Sequence, residues 1–157
     1  MRVRELMTDS PQACRRTESA NEAARVMWEQ DCGAVPIVED DGRVVGIVTD
    51  RDICMAAYIQ GRPLGSISLE SIMSTDVCAC RAEDELARAE HLMQERQVNR
   101  LPVVADGEVL VGMLALCDLT RGVKRAGALQ QKTSEGQELL ETVAAIREPR
   151  RPPSLAS

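Results

Sequence analysis

The sequence predicts a mixed α/β (α+β) fold: two tandem β-α-β-β-α units packed sheet to sheet with pseudo-two-fold symmetry, plus a C-terminal helix. Three observations predict it. The first is a repeat, because an offset of 66 residues lays "AVPIVEDDGRVVGIVTDRDI", from Ala34, on "RLPVVADGEVLVGMLALCDL", from Arg100. Pro36 meets Pro102, Gly46 meets Gly112 and Asp52 meets Asp118; upstream, Met7 meets Met73, Cys14 meets Cys80 and Met27 meets Met93. One offset held so long without a gap marks a tandem duplication. The second is that each copy switches its apolar period between helical and strand-like in the same order. The third is size: 157 residues, 44% of them apolar, suffice for one domain or two small, mutually dependent halves.

Each unit opens with a short lead helix, "VRELM" or "LESIM", followed by a strand-like segment, "QACR" or "VCACR". A helix comes next. In the first copy Ala20, Ala23, Ala24 and Met27 form its stripe, and Ser19 with Glu22 makes an S-x-x-E capping box. In the second copy the stripe is Leu86, Ala89, Leu92 and Met93. Two apolar runs joined by "EDDG" or "ADG" then read as a hairpin. A closing helix ends at Gly61 or near Gly127, as glycine commonly ends helices. Three strands with helices on one side leave the other sheet face bare, and packing two such faces together buries both. The expected boundaries are 1–61 for the first unit, 62–68 for the linker "RPLGSIS" and 69–127 for the second unit. Residues 128–147 add a helical extension with Leu139, Leu140, Val143 and Ile146 on its stripe, which should pack on the module or on another chain. The Pro-rich tail 148–157 is expected to be disordered.

Composition excludes several functions. Phe is absent, Trp28 and Tyr58 are the only aromatic residues, and the net charge is −6. Such a chain offers no stacking platform for bases and repels a phosphate backbone, so direct nucleic-acid binding is not expected. No run spans a bilayer, and "MRVRELMTDSPQ" lacks the apolar core of a secretory signal, so the expectation is a cytoplasmic protein without a membrane partner. In that compartment the six Cys are expected as reduced, buried small hydrophobes, with Cys14, Cys32, Cys54, Cys80 and Cys117 in or beside apolar stretches. Cys78 and Cys80 form a C-x-C on one strand face, too sparse for zinc without further donors. His91, the only histidine, reads as a surface residue. No metal site is expected. One His, no G-x-S-x-G elbow and no G-x-x-x-x-G-K-[ST] leave no nucleophile-and-base set, so no catalysis and no required cofactor are expected.

The informative junction is "GIVTDRD", Gly46 to Asp52, where a strand meets a helix. A carboxylate in the first helical turn can accept both vicinal hydroxyls of a ribose, and a Thr hydroxyl at the strand end can bond sugar or phosphate. The alternative is that Thr49 or Asp50 caps the helix while Asp52 favours its positive end; capping alone would account for one of these residues.

A duplicated β-α-β-β-α unit with "LMT" at its start, "VPIV" or "LPVV" on the middle strand and "GIVTDRD" at the junction resembles the cystathionine beta-synthase (CBS) domain family, in which two units form a Bateman module. The resemblance covers about residues 1–125. It implies a regulatory, signal-transducing module that binds an adenosyl ligand, AMP, ADP or ATP foremost and NAD or S-adenosylmethionine as further candidates, in the cleft between units. It also implies a homodimer and an effector protein of unknown identity. Carried over residue by residue, Thr49 and Asp52 contact ribose and phosphate, and Asn99 and Arg100 of the other unit reach the phosphate in the same cleft. Arg51 points to a phosphate or to solvent, and Val35, Pro36, Val48 and Cys14 are candidate walls for adenine. Asp118 keeps the second motif's carboxylate, but Ala115 replaces the threonine and Gly33 and Ala34 replace the polar pair, so the second cleft should be weak or empty. Two other roles fit the same chain: a ligand-free structural adaptor, or a thiol or metal switch using Cys78, Cys80 and a neighbour, which would need accessible low-pKa thiols.

Overall fold

A computed structural model of the chain describes residues 1–125, 141–143 and 146. The order is β1 (Thr8–Asp9), α1 (Ala20–Glu29), β2 (Ala34–Val38), β3 (Val44–Thr49), α2 (Asp50–Gln60), β4 (Cys80–Arg81), α3 (Leu86–Arg96), β5 (Arg100–Val104), β6 (Leu110–Ala115) and α4 (Leu116–Arg125). The lead helices are single 3₁₀ turns, Val3–Glu5 and Leu69–Ser71. The expected end near Gly127, Leu139 and Leu140 of the extension, and the 148–157 tail lie outside the described residues.

The strand order of the larger sheet is β1-β6-β5-β4, with β4 parallel to β5 and the other pairs antiparallel. The first half repeats this pattern around the hairpin β2-β3, but its outer strands shrink to single bridges, Cys14 to Ile37 and Ile47 to Ser74. The predicted strand "QACR" is therefore only the Cys14 bridge. A turn ends it, with the Glu18 N–H on the Arg15 carbonyl at 3.0 Å.

The halves exchange their lead segments, which the three-strand expectation did not include. Thr8 and Asp9 join the edge of β6 in the second sheet, while Ser74, their counterpart, pairs with Ile47 in the first. Val3 is fully buried in the second half's core with Leu101 and Leu114, and Leu69 in the first half's core with Val35 and Val48. The crossing explains a glycine in each copy: a Cβ at Gly46 would stand 2.6 Å from Met73 Sδ, and one at Gly112 the same distance from Met7 Sδ. Each half thus completes the other's core, and neither is a self-contained unit.

Opposite residues of an antiparallel pair share a face, so the register of Val35 with Val48, and of Ala34 with Thr49, separates two sides of the first hairpin. Val35 and Val48 face the core under α1 and α2 with Ala23 and Ile53. Pro36 and Thr49 face the other way, and all five residues of β2 are buried, as sheets packed face to face require. At the hairpin tips Arg43 bridges Val109, and the Leu110 N–H donates to the Gly42 carbonyl at 3.1 Å.

Two local expectations are corrected. Ser19 is the N-cap of α1, but its side chain makes no cap bond; Glu22 instead accepts from Arg25 at 3.0 and 3.1 Å. A charge-assisted fork to guanidinium outcompetes a neutral backbone N–H for the same carboxylate. Cys54 and Cys117 are exposed on α2 and α4, not buried; their places fall on the outward side of an amphipathic helix. The end of α2 is as predicted, with Gly61 at φ 59° closing the helix on the Ala57 carbonyl.

Candidate functional site

The chain passes from β3 into α2 at Thr49, and the two predicted ribose residues meet there. The Thr49 N–H and Thr49 hydroxyl each donate to Asp52 Oδ2 at 2.8 Å, and the Asp52 N–H donates back to Thr49 Oγ1 at 3.2 Å. This reciprocal capping box accounts for both residues, not one, and it was Ser19 that the sequence pattern had favoured for such a box. Capping leaves half of the carboxylate open. Asp52 is only partly buried, and its Oδ1 has no hydrogen-bond partner among the described residues.

The second half contributes Arg100. A Cβ at Gly33 would stand 2.8 Å from Asp50 Oδ2 and 2.9 Å from Arg100 Nη2, so side chains from opposite halves converge over that glycine. The backbone fixes the place, because the Asp50 N–H donates to the Gly33 carbonyl at 3.2 Å and so ties the start of β2 to the start of α2. Arg100 forms no ion pair among the described residues, and neither does Asp50. Asp50 Oδ1 accepts the Arg51 N–H at 2.8 Å, which leaves Oδ2 open. Asp50 is a member of this cluster that sequence reasoning considered only as a helix cap; its repeat counterpart, Leu116, was the available signal.

The other assigned residues divide. Arg51 is exposed, and Asn99 is exposed at the head of β5 with its carbonyl held by the Leu116 N–H at 2.9 Å; among the described residues no side-chain hydrogen bond ties Asn99 to Thr49 or Asp52. Pro36 lies on the Thr49 side of the hairpin. Val35, Val48 and Cys14 do not: they belong to the closed core beneath the helices, and as adenine walls they are corrected. The pairing register turns their side chains away from the Thr49 face.

The repeat-related place in the second half is built differently. Asp118 Oδ2 accepts the Ala115 N–H at 2.8 Å, the same half of the box, but no hydroxyl completes it. Asp118 is 4% exposed and its other oxygen pairs with Arg121, three residues on, where the first half has Met55. The carboxylate raises the Arg121 guanidinium pKa through that hydrogen bond. Both Asp118 oxygens are therefore occupied.

Burial works against a reactive thiol at the C-x-C. Desolvation pushes the Cys80 thiol up to about 12 and raises Cys78 as well, the opposite of what an accessible thiolate needs. Among the described residues no three His, Cys, Asp or Glu side chains are grouped to hold a metal ion, and His91 sits 3.5 Å from Glu95 on the surface of α3.

The family model "CBS domain" matches residues 3–58 and again 60–125, so the chain belongs to the CBS domain family as a tandem pair. It is 37% identical over 117 residues to the CBS domain-containing protein YhcV of Bacillus subtilis (strain 168), covering 74% of this chain and 81% of that one. The CBS domain pair of protein MJ0100, solved in complex with 5′-methylthioadenosine and S-adenosyl-L-methionine, superposes with a TM-score of 0.73 at 24% identity, over 80% of this chain and 98% of that one. CBSX2, solved in complex with AMP, gives a TM-score of 0.70 at 23% identity over 80% and 98%. No helix among the described residues is long and apolar enough to cross a membrane.

Proposed function

We propose that this CBS pair is a non-catalytic regulatory module that binds one adenosyl ligand per chain in the first cleft. The carrying observation is the contrast between two carboxylates at the same place in the repeat. Asp52 keeps Oδ1 open among the described residues, whereas both oxygens of Asp118 are taken. An open carboxylate at the first turn of a helix suits the paired hydroxyls of a ribose, which every adenosyl ligand carries. The AMP, methylthioadenosine and S-adenosylmethionine bound by the two similar structures support that ligand class. A module of this kind acts by binding one arrangement of its halves more tightly than another, and only that difference reaches an effector.

Calorimetric titration of AMP into ligand-stripped protein tests the site. Saturation at one ligand per chain, lost in Asp52→Ala and kept in Asp118→Ala with both variants folded, is expected. Binding that survives Asp52→Ala, or two equal sites per chain, refutes the assignment.

A second contrast, at the outer helices, favours a homodimer. Trp28, Tyr58 and Ile59 on α1 and α2 are 88%, 82% and 72% exposed. Gln94, the counterpart of Trp28, instead donates to the hydroxyl of the fully buried Thr142 at 2.7 Å, and Val143 packs on the second half's core. Large apolar side chains left bare on one half, at places where the second half carries Gln94, Lys124 and Arg125, suit a second copy of the chain.

A further inference from the structure

The residues over Gly33 carry information about the rest of the ligand. Two opposite charges meet there, one from each half, and both keep hydrogen-bonding capacity unused among the described residues. Asp50 Oδ2 and Arg100 Nη2 lie 2.8 and 2.9 Å from a common point, yet no ion pair within bonding range joins them. The second half has nothing like it, with Leu116 in place of Asp50 and Ala34 in place of Arg100. A cation and an anion held side by side but not spent on each other complement a group that itself carries both charges.

We infer that the first cleft selects adenosyl ligands whose 5′ substituent ends in an amino-acid zwitterion, as in the S-adenosyl amino acids, over those ending in a polyphosphate. Arg100 takes the carboxylate, for which its planar fork is suited, and Asp50 Oδ2 takes the ammonium. A triphosphate meets one guanidinium only, with a carboxylate against its charge. The inference rests on the reading that Asp52 holds the ribose, and the two are separable by experiment.

S-adenosylhomocysteine and 5′-methylthioadenosine share the nucleoside and thioether and differ in the amino-acid group. Titrating both, with AMP and ATP, into the full chain and into Asp50→Asn, Arg100→Gln and Asp52→Ala reads the two subsites separately. S-adenosylhomocysteine is expected to bind roughly tenfold or more tighter than methylthioadenosine, and ATP weakest, from a charge pair of this kind. Asp50→Asn should remove most of that advantage while tightening AMP and ATP, and Arg100→Gln should remove it without helping the nucleotides. Equal affinity for the two thioethers, or ATP preferred with no change of order in Asp50→Asn, overturns the zwitterion inference. If methylthioadenosine binding is lost in Asp52→Ala at the same time, the ribose reading stands. If none of the four ligands binds folded protein, both fail.

Discussion

The first and second halves share the hairpin, the glycine that admits a methionine from the other half, and a carboxylate three residues past the strand end. They differ in what surrounds that carboxylate. Thr49 completes a capping box around Asp52 and leaves one oxygen open, while Ala115 cannot do so and Arg121 closes over Asp118. The features that belong to both copies are therefore those the fold needs, and those found in one copy are candidates for function. The outer helices repeat the lesson, with Trp28 bare and its counterpart Gln94 under Thr142.

The largest expected effect breaks the comparison at the outer helices. Giving the first half the second half's residues there, Trp28→Gln with Tyr58→Lys, should convert a dimer to a monomer in analytical ultracentrifugation and leave the unfolding midpoint of the monomer nearly unchanged. Exposed aromatic anchors of this size dominate protein interfaces, typically at about 2 kcal/mol or more each. A wild-type chain that sediments as a monomer at high concentration disproves the dimer.

The next effect tests whether the two cores are equivalent. Cys14 and Cys80 are counterparts, and burial raises both thiols, Cys14 to about 11 and Cys80 to about 12. Folding favours the neutral thiol, so this contribution to stability is complete below the ordinary thiol value of 9.0 and declines as pH climbs through the folded values. The loss between those limits should be about 4 kcal/mol for Cys80 and about 3 kcal/mol for Cys14. Denaturant unfolding from pH 8 to pH 11 should show a shallower decline in Cys80→Ala than in Cys14→Ala, and in both a shallower one than in wild type. Parallel slopes in all three proteins would show that neither thiol titrates with unfolding.

Much of this was legible in the sequence because a duplication checks itself: the offset that aligns Pro36 with Pro102 also aligns the hairpin, the closing helix and the junction carboxylate. The exchange of lead segments was not legible, since "VRELM" and "LESIM" show local periodicity but not which half they complete. The capping boxes show the same limit from the other direction. S-x-x-E at Ser19 is the stronger motif, but Arg25 captures Glu22, while T-x-x-D at Thr49 forms the complete box. Val35, Val48 and Cys14 as adenine walls failed for a strand-specific reason, because composition places them beside the site and the pairing register turns them away from it. Asp50 was read only as a helix cap and Arg121 not at all, because each acquires its further meaning only through a partner side chain or a missing repeat counterpart.

The smallest expected effect sharpens the comparison at the junction itself. Thr49→Ala gives the first half the second half's arrangement and should cost about 1 kcal/mol of stability, the usual worth of an N-cap hydroxyl. Ala115→Thr does the reverse and should regain up to about 1 kcal/mol, because the Asp118 carboxylate is already bonded to the backbone N–H of residue 115. The two changes are expected to separate in ligand binding. Thr49→Ala frees Asp52 Oδ2 from the hydroxyl it now accepts and removes a group from the cleft, so it should weaken AMP. Ala115→Thr should not create a second site, because Arg121 still holds Asp118. Adding Arg121→Met to Ala115→Thr releases that oxygen, and a second, weaker binding step in the double variant alone would identify the ion pair as what keeps the second cleft closed. A second step already present in Ala115→Thr would place the block at the missing hydroxyl instead.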